Sequence, residues 1–406
     1  MGVNVFPAAS GGASYSSQPP ASASSVLLDG QLVTASSIST SVTGTGAPWL
    51  LYANGAGGAT ITIAGTPYTV TAGSTVGTSA YTGSQSVTVA ALGPPPSLFS
   101  VSTMPSSTYW QNVAYGLVGS TDYYVAVQAS GASTTAAYST NGTSWTASTM
   151  PSGGSSVGWY GIAYGLISAT SYFVAIAQGT ASGGYSTNGT TWTASTMPSA
   201  SAWTSVTFGN GKFVAVAAAT NAGAYSTNGT SWTASTMPSS ATWSSVAYGG
   251  SYYVAVAQSS TVAAYSSNGS TWTASTLTSS SVWNSVAYGN GTYVAIANGT
   301  ATSYSTNGTS WTAGTILGSY TWISVTYGGG YFIAIQASGN ASAAYSTNGI
   351  TWTASTMPTA NLWQAVTWGN GKFVAVAQST TNAAYLTQVS GIPVAYGIYN
   401  GATVRA

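Results

Sequence analysis

The chain has 406 residues, but it carries only three Lys or Arg, two Asp or Glu, and no His or Cys. This composition excludes disulfides, metal sites built on His or Cys, and electrostatic binding of nucleic acid, which needs clustered basic residues. Apolar residues still make up 44% of the chain, with 15 Trp and 28 Tyr, so a packed core is possible. The abundant Ser, Thr, Gly, Ala and Val favour strands and turns over helices.

The N-terminal part of the chain differs from the rest. Residues 1–25 are rich in Ser, Ala, Gly and Pro, and we predict an extended arm. Residues 26–92 contain several short β-rich runs, which predict a small β-domain. The Gly-Pro-Pro-Pro segment predicts a stiff hinge at 93–97. We expect residues 389–406 to form a C-terminal tail whose partner the sequence does not identify.

Residues 98–388 consist of repeats of about 40 residues, marked by two motifs. The segment Tyr-Ser-Thr-Asn-Gly-Thr-Ser-Trp at 138–145 recurs with small changes from five later tyrosines: Tyr185, Tyr225, Tyr265, Tyr304 and Tyr345. The motif Trp-x-x-(Val/Ile)-x-aromatic-Gly begins at seven residues, the marker tryptophans: Trp110, Trp159, Trp203, Trp243, Trp283, Trp322 and Trp363. Self-similarity at this period indicates a repeat architecture of seven units.

The third unit contains four β-rich runs separated by turn signals. They are Trp203 to Phe208, Lys212 to Ala217, Ala224 to Thr227 and Ser231 to Thr236, with Met237-Pro238 ending the last. An Asn-Gly pair, a strong hairpin signal, lies between the third and fourth runs. Four antiparallel strands per unit predict an all-β fold: a seven-bladed β-propeller with four-stranded blades, preceded by the small β-domain.

The two ends of the repeat region complement each other. Residues 99–105 match the fourth strand of a unit, at 145–151, but no first three strands precede them. The last unit leaves the pattern after its third strand, at 383–387. We therefore predict that the N-terminal strand completes the seventh blade and closes the ring, which removes two exposed sheet edges.

The segment Ser-Thr-Asn-Gly-Thr-Ser-Trp resembles the Asp-box (S-x-D-x-G-x-T-W) of sialidase-type propellers, with Asn where that family usually has Asp. The resemblance covers roughly residues 98–388 and implies a propeller hairpin in which the box is structural. In sialidases, catalysis resides in an Arg triad, a Tyr nucleophile with a Glu, and an acid Asp. This chain has a single Arg, Arg405, and no Glu, so the resemblance does not imply sialidase activity.

The box asparagines have two interpretations. Asn-Gly-Thr is a glycosylation acceptor, and amides occur in carbohydrate and calcium sites; alternatively, Asn tolerates a left-handed backbone and bonds its own turn. We predict the structural role, because amides without carboxylates are weak calcium ligands. The residues concerned are Asn141, Asn188, Asn228, Asn268, Asn307 and Asn348.

The marker tryptophans also have two interpretations. Each falls where the chain crosses from one outer strand to the next inner strand, so seven rings could form a collar that stacks on sugar faces. Alternatively, each ring plugs the junction of its own blade. The sequence favours the second interpretation and leaves the first as a candidate binding site.

Catalysis requires acids, bases or nucleophiles with tuned pKa values, and the chain has almost none. We therefore expect that the protein is not an enzyme and that it binds no cofactor or metal. Uncharged, nearly identical repeats behind an N-terminal arm resemble tail-fibre and related virion proteins of tailed phages. We predict a structural or adhesive protein on the virion surface, in multiple copies, with residues 1–97 binding other virion proteins.

Two alternatives remain open. One is an extracellular carbohydrate-binding lectin, and the other is a head-decoration protein of the virion. A host-surface glycan is a candidate ligand of the propeller in the adhesive and lectin alternatives. Neither nucleic-acid binding nor membrane insertion is expected in any of them.

Overall fold

Strands make up almost all of the described chain, and none of the described residues is helical, which confirms the all-β prediction. This computed structural model describes residues 98–129, 134–152 and 158–387, together with the backbone of strands within 25–91 and at 396–400. The part of the chain that is described has no helix that could cross a membrane.

Residues Met1–Pro95 and Gln388–Ala406 form one unit, which contains a single seven-stranded sheet. Its strands are β1 (Ser25–Leu28), β2 (Gln31–Thr34), β3 (Ser37–Ala53), β4 (Ala59–Ile63), β5 (Thr66–Val70), β6 (Thr75–Ala91) and β30 (Tyr396–Asn400), in the order β2-β1-β30-β3-β6-β4-β5. The C-terminal strand β30 pairs parallel with β1 and antiparallel with β3. The C-terminal stretch, for which the sequence identified no partner, therefore adds a strand to the same sheet as the N-terminal segments.

Residues Pro96–Thr387 form the second unit, which contains the repeats. Its strands are β7 (Ser100–Thr108), β8 (Trp110–Val118), β9 (Thr121–Gln128), β10 (Thr135–Ser139), β11 (Thr146–Thr149), β12 (Gly158–Ile167), β13 (Thr170–Ser186), β14 (Thr193–Gly209), β15 (Lys212–Ala218), β16 (Thr220–Ser226), β17 (Thr233–Gly249), β18 (Tyr252–Gln258), β19 (Ser260–Ser266), β20 (Thr273–Ser281), β21 (Trp283–Gly289), β22 (Thr292–Ser305), β23 (Thr312–Gly328), β24 (Tyr331–Gln336), β25 (Ser342–Ser346), β26 (Thr353–Thr356), β27 (Trp363–Gly369), β28 (Lys372–Ala377) and β29 (Thr380–Thr387). In each repeat we call the strand that begins or continues at the marker tryptophan the inner strand, and the strand after the box the outer strand.

The outer strand of several repeats continues into the next inner strand, where the sequence predicted a break at Met-Pro. In β14, Thr193–Thr196 pair with β13, and Ala202–Gly209 pair with β15. The strand passes through Met197, which is buried, and Pro198, which is exposed. Because proline lacks an N–H, an exposed edge position tolerates it without losing a sheet hydrogen bond. The boundary between repeats is therefore a continuous strand with a shift in pairing register.

The second strand of each repeat is buried on both faces, which explains its nearly continuous apolar sequence. In β13, Phe173 and Ala175 belong to the core shared with the first repeat, whereas Val174 and Ile176 belong to the core shared with the third. Successive side chains of a strand point to opposite faces, so one strand supplies two cores. The hydrophobic core of this unit is therefore divided among the junctions between neighbouring repeats.

A glycine near the end of each inner strand packs against an aromatic ring of the next repeat. A Cβ atom at any of these glycines would overlap the ring. The pairs are Gly116–Tyr164, Gly165–Phe208, Gly209–Tyr248, Gly249–Tyr288, Gly289–Tyr327, Gly328–Trp368 and Gly369–Tyr115. The last pair brings the seventh repeat against the first.

Strand β7 joins the first repeat to the last in a second way. It pairs antiparallel with β29, with Ser100 opposite Tyr385 and Thr108 opposite Thr380, and so becomes the outer strand of the sheet that contains β27 and β28. Met104 in β7 is 2% exposed and belongs to the core between the first and last repeats.

Candidate ligand-binding site

The marker tryptophans are buried and do not form an accessible collar. Their exposed fraction is 0–1%, so no ring offers a free face to a sugar, and the proposed stacking collar is corrected. The residues concerned are Trp110, Trp159, Trp203, Trp243, Trp283, Trp322 and Trp363. In six of them the indole N–H donates to the carbonyl four residues earlier, as from Trp203 to Ser199 at 3.0 Å.

A β-bulge directly after the marker tryptophan explains this orientation. Trp203 is paired with Ala217 and Ser205 with Val216, which leaves Thr204 as the extra residue. The same register shift follows the marker tryptophan in every repeat, for example between Trp159 and Gly161 in the second. A bulge interrupts the alternation of side chains between the two faces. The tryptophan therefore enters the core, while the residues after it line the pocket described next.

Those residues line a pocket of about 350 Å³ that is surrounded by the inner strands of all seven repeats, which we call the axial pocket. Most of its lining comes from the first and second positions after the marker tryptophans, and none of its lining residues is charged. The polar lining residues are Gln111, Asn112, Tyr160, Gln178, Thr204, Ser205, Thr242, Ser244, Ser245, Gln258, Asn284, Ser285, Ser324 and Gln364. Sequence reasoning missed them; the polar residues that follow most of the marker tryptophans were the available signal.

The first position after the tryptophan links neighbouring repeats. Thr204 Oγ1 donates to the Trp243 carbonyl at 2.7 Å, and Ser244 Oγ donates to the Trp283 carbonyl at 2.6 Å. Asn284 continues the series with a 2.7 Å hydrogen bond from Nδ2 to the next tryptophan carbonyl. These polar groups therefore hold the wall of the pocket together before any ligand is considered.

The second position supplies a hydroxyl that accepts a hydrogen bond from the next repeat. The Val246 N–H donates to Ser205 Oγ at 3.1 Å, and the Val286 N–H donates to Ser245 Oγ at the same distance. Ser285 and Ser324 accept equivalent bonds at 3.2 Å. Because a hydroxyl that accepts one bond keeps its own proton for donation, these serines can still donate to a ligand.

The box asparagines form compact turns. Asn228 Oδ1 accepts hydrogen bonds from the N–H groups of Thr230 and Ser231 at 3.0 and 2.9 Å, and from Ser226 Oγ at 3.1 Å. Gly229 follows with φ of 74° and donates to Ser226 Oγ at 2.9 Å. The same pair of N–H bonds to Oδ1 is present at Asn141, Asn188, Asn268, Asn307 and Asn348.

The one described carboxylate, Asp122, lies at the seam between the first and last repeats. It accepts a hydrogen bond from the Tyr115 hydroxyl and one of 2.5 Å from Asn370 Nδ2. Burial and the hydrogen bond to this carboxylate raise the pKa of Tyr115 to about 12. The residues that the structure describes contain no cluster of three acidic, imidazole or thiol groups that could hold a metal ion.

No known protein family and no curated protein matches the chain by sequence. Solved structures do match it: virginiamycin B lyase from Staphylococcus aureus has a TM-score of 0.61 at 12% identity, over 72% of this chain and 100% of its own. YCF48 bound to a D1 peptide has a TM-score of 0.56 at 15% identity, over 73% and 97% of the two chains. The WD40 β-propeller domain of Doa1 also has a TM-score of 0.56, at 10% identity, over 72% and 98%. The chain therefore has a β-propeller fold.

The lyases correct one expectation. We predicted that the chain is not an enzyme; that prediction is corrected, because virginiamycin B lyase is an enzyme with the same fold and the fold therefore does not exclude catalysis. A likeness at 12% identity concerns the fold alone, and it assigns no reaction to this chain.

Proposed function

We propose that the protein is a structural and adhesive protein of a tailed-phage virion, and that its propeller binds a surface ligand through the axial pocket. The observation that carries this proposal is the lining of the pocket, which presents hydroxyl and amide groups and no charge. Such a lining suits a ligand that also exchanges uncharged hydrogen bonds, above all a glycan.

Within this proposal the repeats are of the Asp-box type and form a seven-bladed ring closed by β7. The turn geometry at the box asparagines supports the first part, because every box repeats the same bonds to Oδ1. The cyclic order of the glycine–aromatic pairs and the pairing of β7 with β29 support the second.

The near absence of charge supports a place in a large assembly. A protein with a net charge near zero associates readily and is a poor free solute, whereas a protein fixed in many copies on a particle need not stay dispersed. We assign the anchoring role to residues 1–97 and display to the propeller at 98–388. A free lectin is the second candidate, since the same pocket would serve it.

The test is to locate the protein. Mass spectrometry of purified phage particles, with antibody labelling in electron microscopy, should find the chain on the particle surface. The labelled full chain should also adhere to host cells. A chain that is absent from particles but adheres to cells would indicate the lectin, and a chain that is present on particles without adhering to cells would remove the adhesive role.

A further inference from the structure

We infer that the axial pocket holds the neutral end of a saccharide against the side formed by the first two repeats, with Gln111 as a specificity-determining residue. This inference rests on the proposed adhesive role and names the class of its ligand. It follows from the unequal use of polar groups around the pocket.

The lining of the third, fourth and fifth repeats is largely committed to the protein itself. At the first position after the tryptophan, Thr204, Ser244 and Asn284 all donate to the next repeat. Thr204 and Ser244 also approach a second carbonyl at 3.1 Å, that of Val216 and Val256, respectively. The first position in these repeats therefore has no donor left for a ligand, and only the serines at the second position keep a hydroxyl proton.

The first two repeats differ. At the equivalent first position, Gln111 Oε1 is buried and has no hydrogen-bond partner among the described residues. Tyr160 occupies that position in the second repeat, and neither its hydroxyl nor the Gln178 amide makes a hydrogen bond to another described residue. A buried acceptor without a donor is costly, so Gln111 is suited to accept a hydrogen bond from a ligand.

These free groups lie on one side of the pocket. Asn112 Nδ2 donates to the Tyr160 carbonyl at 3.0 Å, which connects the position next to Gln111 with the second repeat. Gln178 is paired with Gly158, two residues before Tyr160, and with Ala202, two residues before Thr204. Gln111, Tyr160 and Gln178 therefore all lie on the part of the wall that the first two repeats supply.

The charge distribution selects a neutral ligand. The described charged residues, Asp122, Lys212 and Lys372, all lie near the opposite end of the inner strands, where the inner strand turns into the second strand. Lys212 is paired with Gly209, four residues beyond Ser205. At 3.3 Å per residue this is roughly 13 Å along the strand, more than the Debye length of ~8 Å at physiological ionic strength. An acidic sugar would lose hydration in the pocket without gaining a cation.

The volume of the pocket favours the terminal sugar of a glycan as the bound group. Ligand pockets span about 300–1,000 Å³, and the axial pocket, at about 350 Å³, lies near the lower limit. We therefore expect one terminal sugar to enter it, with the rest of the glycan outside.

The experiment uses the full chain and saturation-transfer NMR with two sets of free sugars. The neutral set contains the methyl glycosides of glucose, galactose and N-acetylglucosamine, and the acidic set contains glucuronic acid and N-acetylneuraminic acid. We expect saturable binding from at least one neutral sugar and none from the acidic set. Gln111→Leu, which keeps the size and removes the acceptor, should weaken neutral-sugar binding by about fivefold or more. Thr193→Val, an isosteric loss of a hydroxyl on an exposed outer strand, is the matched control and should not change it.

The inference is overturned if no neutral sugar binds, if acidic sugars bind equally well, or if Gln111→Leu binds as tightly as the unaltered chain. The sugar comparison uses the unaltered protein, so it decides even if the variant fails to fold. Cell adhesion that neutral sugars do not inhibit would reject the inference and leave the adhesive role. Sugar binding by a chain that is absent from particles would reject the role in the virion and leave the inference about the pocket.

Discussion

The glycine at the end of each inner strand sets how closely neighbouring repeats approach. Its α-carbon lies against an aromatic ring of the next repeat, and the seven rings contact a second aromatic residue on the adjacent strand at 4.5–5.1 Å between centroids. A side chain at the glycine would have to displace a ring that is held from both sides. Interiors packed at this density do not absorb such a change without strain.

We therefore expect Gly209→Ala to destabilise the propeller by about 3 kcal/mol, the upper range for overpacking, because its Cβ would overlap the Tyr248 ring. Gly211→Ala is the control: its Cβ meets nothing within 4 Å, but its φ of 72° costs a side chain ~1–2 kcal/mol. Denaturant unfolding followed by tryptophan fluorescence measures both. Equal losses would show that the ring contact does not limit the approach of the repeats.

The box asparagine Asn228 uses its carbonyl oxygen and leaves its amide nitrogen free. At Asn228 three donors converge on Oδ1, and Nδ2 makes no hydrogen bond to any described residue. A carboxylate could accept the same three bonds, and hydrogen bonds to a charged acceptor are about twice as strong. If the repeats are of the proposed Asp-box type, Asn228 takes the place of the Asp of that motif.

We expect Asn228→Asp to fold normally and to gain roughly 0.5–1 kcal/mol at neutral pH. Three donors favour the charged form, so the pKa of the introduced carboxyl falls below its unfolded value of about 3.9 in the folded state. The gain is therefore present above about pH 4 and disappears as the pH falls through the lower folded value. Asn221→Asp, at an exposed position without these donors, is the matched control. A loss of stability at pH 7 specific to Asn228→Asp would contradict the proposed turn chemistry.

For the strands, the sequence predicted the spacing of the repeats but not how the outer strand of one repeat joins the inner strand of the next. The marker motifs located the inner strands because buried, largely apolar runs such as Lys212–Ala218 follow them at a fixed distance. The predicted ends of several outer strands were wrong, because an exposed proline does not interrupt an edge strand, whereas β11 and β26 do end before Met-Pro. The pocket was missed because a one-residue bulge follows each marker tryptophan and changes which side chains point into the core. The amino-acid composition does not reveal such a bulge.

In the proposed ring, closure depends on strand β7. Its pairing with β29 brings together segments more than 270 residues apart, from Ser100 with Tyr385 to Thr108 with Thr380. Ser102 Oγ in β7 also accepts a hydrogen bond of 3.1 Å from Trp145 Nε1 in the first repeat. The strand therefore contacts both neighbours across the seam.

We expect deletion of residues 98–108 to expose an edge of β29 and to leave the core around Met104 incomplete. An unpaired edge next to an open core favours association, so the variant should aggregate or melt at a markedly lower temperature. The control moves the same residues behind Thr387 through a flexible linker, which should restore both properties. Light scattering and thermal melting give the comparison, and a monomeric deletion variant with an unchanged melting temperature would reject closure by β7.

At the scale of the molecule, the chain depends on apolar burial and uncharged hydrogen bonds. The described part contains three charged side chains, and Lys212 donates to the Asn268 carbonyl at 3.0 Å instead of pairing with a carboxylate. Surface ion pairs contribute little even where they are common, so salt has almost nothing to screen here. The protein should therefore be unusually indifferent to its ionic surroundings.

The clearest consequence is a stability profile that is flat near neutrality and falls only in alkali. Stability changes with pH only where the folded and unfolded states bind different numbers of protons. The chain has no His or Cys, so between about pH 5 and 9 only its α-amino group has a reference pKa in the window. We expect the melting temperature to change by less than about 5 °C over that range. A shift of 5 °C would correspond to at least ~1 kcal/mol of stability for a chain of this size.

Above that range buried tyrosines decide the outcome. Burial raises the pKa of Tyr327 and, with the nearby Tyr345, that of Tyr331 to about 12, and it also raises the pKa of Tyr253 and Tyr293. The unfolded chain loses these protons from about pH 10, whereas the folded chain keeps them. Their stabilising contribution is therefore complete below pH 10 and is lost as the pH rises toward 12 and above. Melting followed by circular dichroism from pH 5 to 12, with and without moderate NaCl, measures the profile. A shift larger than 5 °C between pH 5 and 9 would contradict the prediction.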